Sequence, residues 1–331
     1  MGNKATQPRS FNTIRRSQSK VRAQRRKTQR IVLLAIFATV ALILLSVLVL
    51  GGFLAVNAII DARPPAPGTE NPQTPSTNIT FIQRIESAEN IHKDPLILVN
   101  SDNRYLFPES AESSLVRIYD HRSKTEGGRY CYSLVDQQYK LQAEAVYALD
   151  AMMLKNYEVT GDIIRITDAY RTLAAQEKYD TPPGYSDHHT GYCFSIRYDD
   201  TGELIEADHW IYQNCHKYGF VVRYPEGKEN ITGVSQYTYC LRYVGVAHAT
   251  YMFQNNYCME EYLDLLQNQH GPSQQRLSIV AADGFTYEVY YVPASGAELT
   301  TIEVPSNYSC TVSGDNRSGF IVTVKMTPPA A

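Results

Sequence analysis

The first sixty residues contain no aspartate or glutamate. Ten lysines and arginines crowd into residues 1–30, and residues 31–60 carry no charge at all. A segment so composed has no acids with which to pair its cations. The chain also lacks any internal repeat at the periods of solenoids or propellers, which excludes those architectures. Cysteine is sparse, six in 331 residues at positions 131, 193, 215, 240, 258 and 310. An even number permits disulfides in an oxidising compartment, but six allow fifteen connectivities and the sequence does not choose among them.

The uncharged run Ile31–Ile60 is rich in Leu, Ile, Val and Ala. About 20 apolar residues at ~1.5 Å rise span a ~30 Å hydrocarbon core, so the run is long enough to cross a membrane with tilt to spare. It is about twice the length of a signal-peptide core, and no small-residue cleavage pattern follows closely, so it reads as a retained anchor. The basic residues before it belong on the cytoplasmic side, where they also meet anionic lipid rather than nucleic acid. The remainder holds 21 basic residues against all 34 acidic ones, a charge of −13 concealed by the overall −3. The expectation is a single-pass cell-membrane protein with a cytoplasmic N-terminus and an extracellular C-terminal domain.

Five prolines at 64, 65, 67, 72 and 75 mark residues 61–80 as a semi-extended linker. About 250 residues remain, enough for one substantial core. Leu141, Ala145, Leu149 and Met152 recur at helical spacing, predicting a helix over about 138–157 that ends near Gly161. Residues 162–170 and 191–198 alternate like strands. Residues 209–218 read as a helix, 219–224 and 237–246 as strands, and 247–267 as one helix. Beyond His270 short strands follow at 276–281, 285–292, 299–304, 307–312 and 319–326. Mixed elements without regular βαβ alternation predict an α+β domain over 81–270, an antiparallel sheet with helices, and a small all-β tail over 271–331 packed on or following that core.

Three segments carry a resemblance. They are Asp168-Ala-Tyr-Arg171-Thr172; Gly184-Tyr-Ser186-Asp-His188-His-Thr-Gly191-Tyr-Cys-Phe-Ser195; and Gly219-Phe-Val-Val-Arg-Tyr-Pro225, continued by Thr232-Gly233 and Tyr237-Thr-Tyr-Cys240-Leu-Arg242-Tyr-Val-Gly245. In order and spacing they resemble S-G-Y-R-S, G-Y-S-x-H-x-x-G-x-A-x-D, and G-F-I-x-R-Y-P with T-G and E-P-W-H-x-R-Y-V-G. These are the motifs of VanY-type D-alanyl-D-alanine carboxypeptidases, zinc peptidases that trim peptidoglycan stem peptides. The resemblance covers roughly residues 95–326. It implies a zinc ion held by the His and Asp of the second motif and the His of the third, with the Glu three residues before that His as general base. Amide hydrolysis by zinc needs those parts: three ligands, an open position for water, and a carboxylate in reach of it.

Carried over residue by residue, the set is degenerate. His188 is the one retained ligand position; Ser195 stands where the Asp would be and Cys240 where the last His would be. Tyr237 occupies the base position, and a phenol of ordinary pKa ~10 is a poor base at neutral pH. Arg171 is retained as a substrate or carbonyl contact, with Ser186 as a second substrate-binding candidate. The stretch between the first two motifs looks shortened. The expectation is therefore an inactive relative, without a cofactor, that binds a peptidoglycan stem peptide or a cell-wall enzyme. The alternatives are an active zinc D,D-carboxypeptidase using substituted ligands such as His188 and Cys240, and a structural or adhesion ectodomain. The same resemblance puts Cys193 and Cys240 on neighbouring strands, as a candidate disulfide or as two separate buried thiols.

Overall fold

The computed structural model describes residues 79–326, apart from 109, 110 and 236. The basic tail, the apolar run and most of the linker lie outside the described residues. Among the described residues no helix is long and apolar enough to cross a membrane.

Thirteen strands are described: β1 (Phe81–Ser87), β2 (Leu115–Arg117), β3 (Tyr132–Leu134), β4 (Lys140–Gln142), β5 (Ile164–Asp168), β6 (Cys193–Tyr198), β7 (Phe220–Tyr224), β8 (Tyr237–Tyr243), β9 (Leu277–Val280), β10 (Thr286–Pro293), β11 (Leu299–Pro305), β12 (Ser309–Gly314) and β13 (Gly319–Met326). The helices are α1 (Ala143–Thr160), α2 (Leu173–Gln176), α3 (Trp210–Asn214), α4 (Glu229–Thr232), α5 (Val246–Asn255) and α6 (Met259–Gln269).

Helix α1 buries Ala145, Val146, Leu149, Met152, Met153 and Asn156. That is one stripe at helical spacing, turned onto the central sheet. Each large apolar side chain in it contributes roughly 1.5–3 kcal/mol by leaving water. Gly161, at φ +80°, stops the helix and donates its N–H to the Tyr157 carbonyl. The helix begins later than its periodicity suggests, because Lys140–Gln142 pair with Leu115–Arg117 as a strand.

The central sheet runs β3-β5-β6-β8-β7. Its strands are antiparallel except at one edge, where β3 lies parallel to β5, so the expected wholly antiparallel sheet is corrected to a mixed one. Strict alternation along β6 sends Phe194 and Ile196 into the core under α1, and Cys193 and Ser195 to the opposite face. Strand β8 does the same, with Leu241 in that core and Cys240 and Arg242 on the other face. Ser195 sits opposite Cys240, and Cys193 opposite Arg242. Two irregularities re-aim side chains at the site end of the sheet. An extra residue on β5 falls between Ile166 and Asp168. On β8, residues 237 to 241 span the length that β7 covers from 224 to 222. Bulges of this kind are a common way to turn a side chain toward a pocket.

The reading of 247–267 as one helix is also corrected. Asn256 adopts a left-handed conformation (φ 54°), which ends α5 and lets α6 start in a new direction. The 209–218 helix likewise splits into α3 and a single 3-10 turn, Cys215–Tyr218, with Asn214 out of helical geometry between them.

The tail forms a four-stranded sheet, β12-β13-β10-β9. Leu277, Ile279, Val289 and Ile321 share a buried cluster with Met252, Leu263 and Leu266 of the two preceding helices. The chain also crosses back: β1 pairs with β11 along its whole length. His248 of α5 joins these layers, its Nδ1 2.7 Å from the Tyr262 hydroxyl and its Nε2 2.9 Å from Thr323 Oγ1.

Burial pushes the His248 pKa down to about 3. An unfolded histidine takes its proton near 6.5. The stability that neutral His248 contributes is thus complete above pH 6.5 and lost progressively as pH falls toward 3. Urea midpoints between pH 7 and 4 are expected to fall less for His248→Gln than for the parent chain. Equal slopes would show that this imidazole is not the acid-sensitive joint.

Candidate functional site

The 3-10 turn Asp187–Thr190 presents the site's histidine. Gly191 closes the turn at φ +73°, and a Cβ there would come within 2.6 Å of Leu115 Cδ2 and 3.3 Å of Gln142. Only glycine allows β6 to begin where it does. His188 points its Nδ1 at the Ala169 carbonyl, 2.8 Å away, leaving Nε2 to face the sheet, 3.5 Å from Ser195 Oγ. His189 points elsewhere: its Nδ1 meets the Arg171 carbonyl at 2.7 Å, and its Nε2 accepts from the Gly184 N–H at 3.0 Å.

Beneath this turn lies a buried charge quartet. Asp187 sits 2.6 Å from Arg242 Nη1 and 3.2 Å from Arg223 Nε. Arg223 also meets Glu260 of α6 at 2.9 Å. Both guanidiniums are fully buried. Arg242 spends its remaining donors on Thr190 Oγ1 and on the Tyr243, Pro95 and Ile97 carbonyls. Two cations balance two anions, so the group is neutral overall while clamping the His188 turn to β7, β8 and α6.

Above it opens a cavity of about 740 Å³. Of the residues singled out from sequence, Arg171, Ser186, His188, Ser195, Tyr237 and Cys240 all line it. Arg171 Nε and Nη2 reach Asp168 Oδ2 at 3.0 and 2.9 Å, and Nη1 reaches Gln176 at 2.6 Å. Its guanidinium lies 3.8 Å from the centre of the Tyr179 ring. The shortened stretch after Arg171 therefore still builds a wall, contributing Tyr179, Asp180, Thr181 and Pro182. Neither Tyr179 nor Asp168 was singled out from sequence, since a short loop and a strand end carry no periodic signal.

Cys193 was considered only as a disulfide partner. It lies fully buried behind Ser195, on the same face of β6. Cys193 and Cys240 are both free thiols here, not the bridge considered above. Cys193 registers with Arg242 and not with Cys240, so the two meet only diagonally. A donor atom from each of His188, Cys193 and Cys240 lies within 4.8 Å of the others. The Cys240 thiol is pulled down to about 6, first by the hydrogen bond from Cys193 and then by His188, against the effect of burial. Burial is the largest influence on His188 and lowers it, but the hydrogen bond to the Cys240 sulfur and the charge attraction of that sulfur together raise it. Burial and donation to Cys240 push Cys193 well above the usual thiol range.

The zinc ion implied by the resemblance can be tested against these residues. The expected trio of His188, Ser195 and Cys240 is poor, because a neutral hydroxyl seldom ligates zinc. Two thiols and an imidazole are a set that tetrahedral zinc accepts. The His188 Nδ1 contact with a backbone carbonyl is also the outer partner that metal-bound histidines ordinarily keep. The donor set fits, with Cys193 in place of Ser195, and this revises the reading of a ligand set reduced to one histidine.

The model of the family described as VanY, D-alanyl-D-alanine carboxypeptidase, matches residues 157–246. A D-alanyl-D-alanine carboxypeptidase of Enterococcus faecium is 30% identical over 267 residues, covering 77% of this chain and 83% of that protein. One from Enterococcus faecalis is 30% identical over 182 residues, covering 51% of this chain and 65% of that protein. The crystal structure of the vancomycin resistance D,D-dipeptidase VanXYg, in complex with a D-Ala-D-Ala phosphinate analogue, superposes with a TM-score of 0.63 at 23% identity. It covers 75% of this chain and 100% of that one, and shares the α+β fold. By its motifs, its fold and the extent of its likeness to the E. faecium protein, the chain belongs to the VanY-type D-alanyl-D-alanine carboxypeptidase family.

Proposed function

We propose that this protein is a membrane-anchored, extracellular binder of D-alanine-ended cell-wall peptide that does not hydrolyse it at the rate of a working family enzyme. One observation carries the reading: the cavity keeps its arginine, while the position of the general base holds Tyr237 and no glutamate among the described residues lines the cavity. Of the two lining aspartates, Asp168 is committed to Arg171, and Asp180 is exposed on the loop after α2. The acid-free N-terminal segment, basic and then apolar, supports the anchor and its orientation.

Arg171 has five N–H donors, and the contacts described engage three of them. The rest are free to receive a peptide carboxylate, with stacking on Tyr179 holding the plane of the fork. Tyr185, Tyr224 and Tyr239 add apolar wall, against which a short peptide can bury its methyl groups. When bound, a zinc ion would polarise a carbonyl or anchor a carboxylate at this wall. His188 and Cys240 would hold it from the cavity side.

Calorimetric titration of the full chain in detergent with a pentapeptide ending in D-Ala-D-Ala is expected to show binding without release of D-alanine. Arg171→Ala should weaken it by about 10–100-fold, in line with the ~1.5–3 kcal/mol of a hydrogen bond to a charged group. The donor trio at the cavity wall favours a second reading, an active peptidase with thiolate ligands. Steady release of D-alanine, abolished by His188→Ala, would establish it and overturn the first.

A further inference from the structure

We propose that His188, Cys193 and Cys240 hold a divalent ion of the zinc class, with Cys193 supplying the donor that a carboxylate at position 195 would otherwise supply. This does not depend on the peptide-binding reading, since an ion can sit here whether or not a peptide enters.

Period-two alternation puts Cys193 and Ser195 on one face of β6, and the neighbouring β8 brings Cys240 beside them. A donor therefore remains available on that face when the residue at 195 is a serine. The shift by two residues moves it deeper: Cys193 has no exposure, whereas His188, Ser195 and Cys240 reach the cavity. Two sulfurs and one nitrogen, mutually within 4.8 Å, match the soft and borderline donors that select zinc over magnesium or calcium. Among the described residues no other three histidine, cysteine or carboxylate donors converge in this way.

Charge supports the same assignment. The Asp187 carboxylate, in the same turn as His188, is already matched by Arg223 and Arg242, so the trio must balance itself. A divalent ion with two thiolates and a neutral imidazole sums to zero, which a buried wall tolerates far better than a lone cation. Both sulfurs bind as thiolates and the imidazole as the neutral ring, so loading would release protons to solvent. The cavity side of the trio, next to Ser195, is where a fourth ligand would enter, either water or the carboxylate of a bound peptide.

The test uses the full chain in detergent, purified under mild reduction and without chelator. Elemental analysis is expected to find about one zinc per chain. After stripping, cobalt(II) should produce a thiolate-to-cobalt charge-transfer band. Cys193→Ser should lower the cobalt affinity by more than the roughly 10–100-fold that loss of an outer-shell partner costs, and diminish the band. Ser195→Ala should leave both unchanged, and Cys131→Ser, elsewhere in the core, serves as a folding control. Circular dichroism of each variant separates lost metal from lost fold. Retention of the metal and the full band in Cys193→Ser would overturn the proposal, as would their loss in a folded Ser195→Ala. So would a zinc-free chain, whether its two thiols titrate as free or are found joined as a disulfide.

Discussion

Replacing Asp187 with alanine is expected to destabilise the protein by about 3–5 kcal/mol, the scale on which breaking a buried ion pair acts. Arg223 and Arg242 are both fully buried, and among the described residues Asp187 is the one anion that touches them both. Without it, two guanidiniums share a single carboxylate, Glu260, which contacts Arg223 alone. Arg242 cannot turn to water, because its other donors are fixed on Thr190 and on three backbone carbonyls. Asp187→Asn keeps the shape while removing the charge, so it separates electrostatics from packing and is expected to fall between parent and alanine variant. Urea midpoints of the three proteins provide the measurement. A loss below about 1 kcal/mol in Asp187→Ala would mean that the quartet is not what fixes the His188 turn.

The largest gain is expected from rebuilding the family's set by the triple change Ser195→Asp, Cys240→His and Tyr237→Glu. Positions 195 and 240 face each other across β6 and β8 and both reach the cavity, so the two new ligands would approach His188 from one wall. Position 237 lies three residues before 240, which on a regular strand would point it to the other face. The irregularity of β8 against β7 between 237 and 241 turns it to the cavity instead. The triple variant is expected to bind zinc and to release D-alanine from the pentapeptide. The double variant that keeps Tyr237 should be slower by about 10²–10⁴-fold, the usual contribution of a general base. A triple variant that folds yet binds no metal would show that the three motifs are wrongly placed on this chain.

Much of the site was legible from the sequence because its parts are local. The motif residues from Gly184 to Ser195 fall on one turn and one strand, and the cavity gathers Arg171, Ser186, His188, Ser195, Tyr237 and Cys240 as the spacing suggested. Cys193 was not weighed as a metal donor because the pattern directs attention to position 195, although period-two alternation alone places both on one face. The Asp187–Arg223–Arg242–Glu260 quartet left no signal, since contacts between residues tens of positions apart have no period. The break at Asn256 was missed because no glycine or proline marks it, and only the left-handed backbone of an asparagine ends the helix there. The pairing of β3 beside β5 and of β1 with β11 is likewise non-local, and short strands with exposed faces read as loops.

The pairing of β1 with β11 also bears on how the protein is made. Thr80 accepts hydrogen bonds from Ser306, 226 residues later in the chain. At roughly 5–20 residues per second, a ribosome takes on the order of 10–45 s to travel that distance. Throughout that interval β1 has emerged but its partner strand has not been synthesised. Even in the finished fold this strand shows Phe81, Ile82 and Ile85 to solvent, Ile85 at 64% exposure. A nascent strand with an apolar face and open backbone groups is the kind of edge that captures foreign strands. The strand is therefore most open during synthesis, before residues 299–305 arrive to pair with residues 81–87.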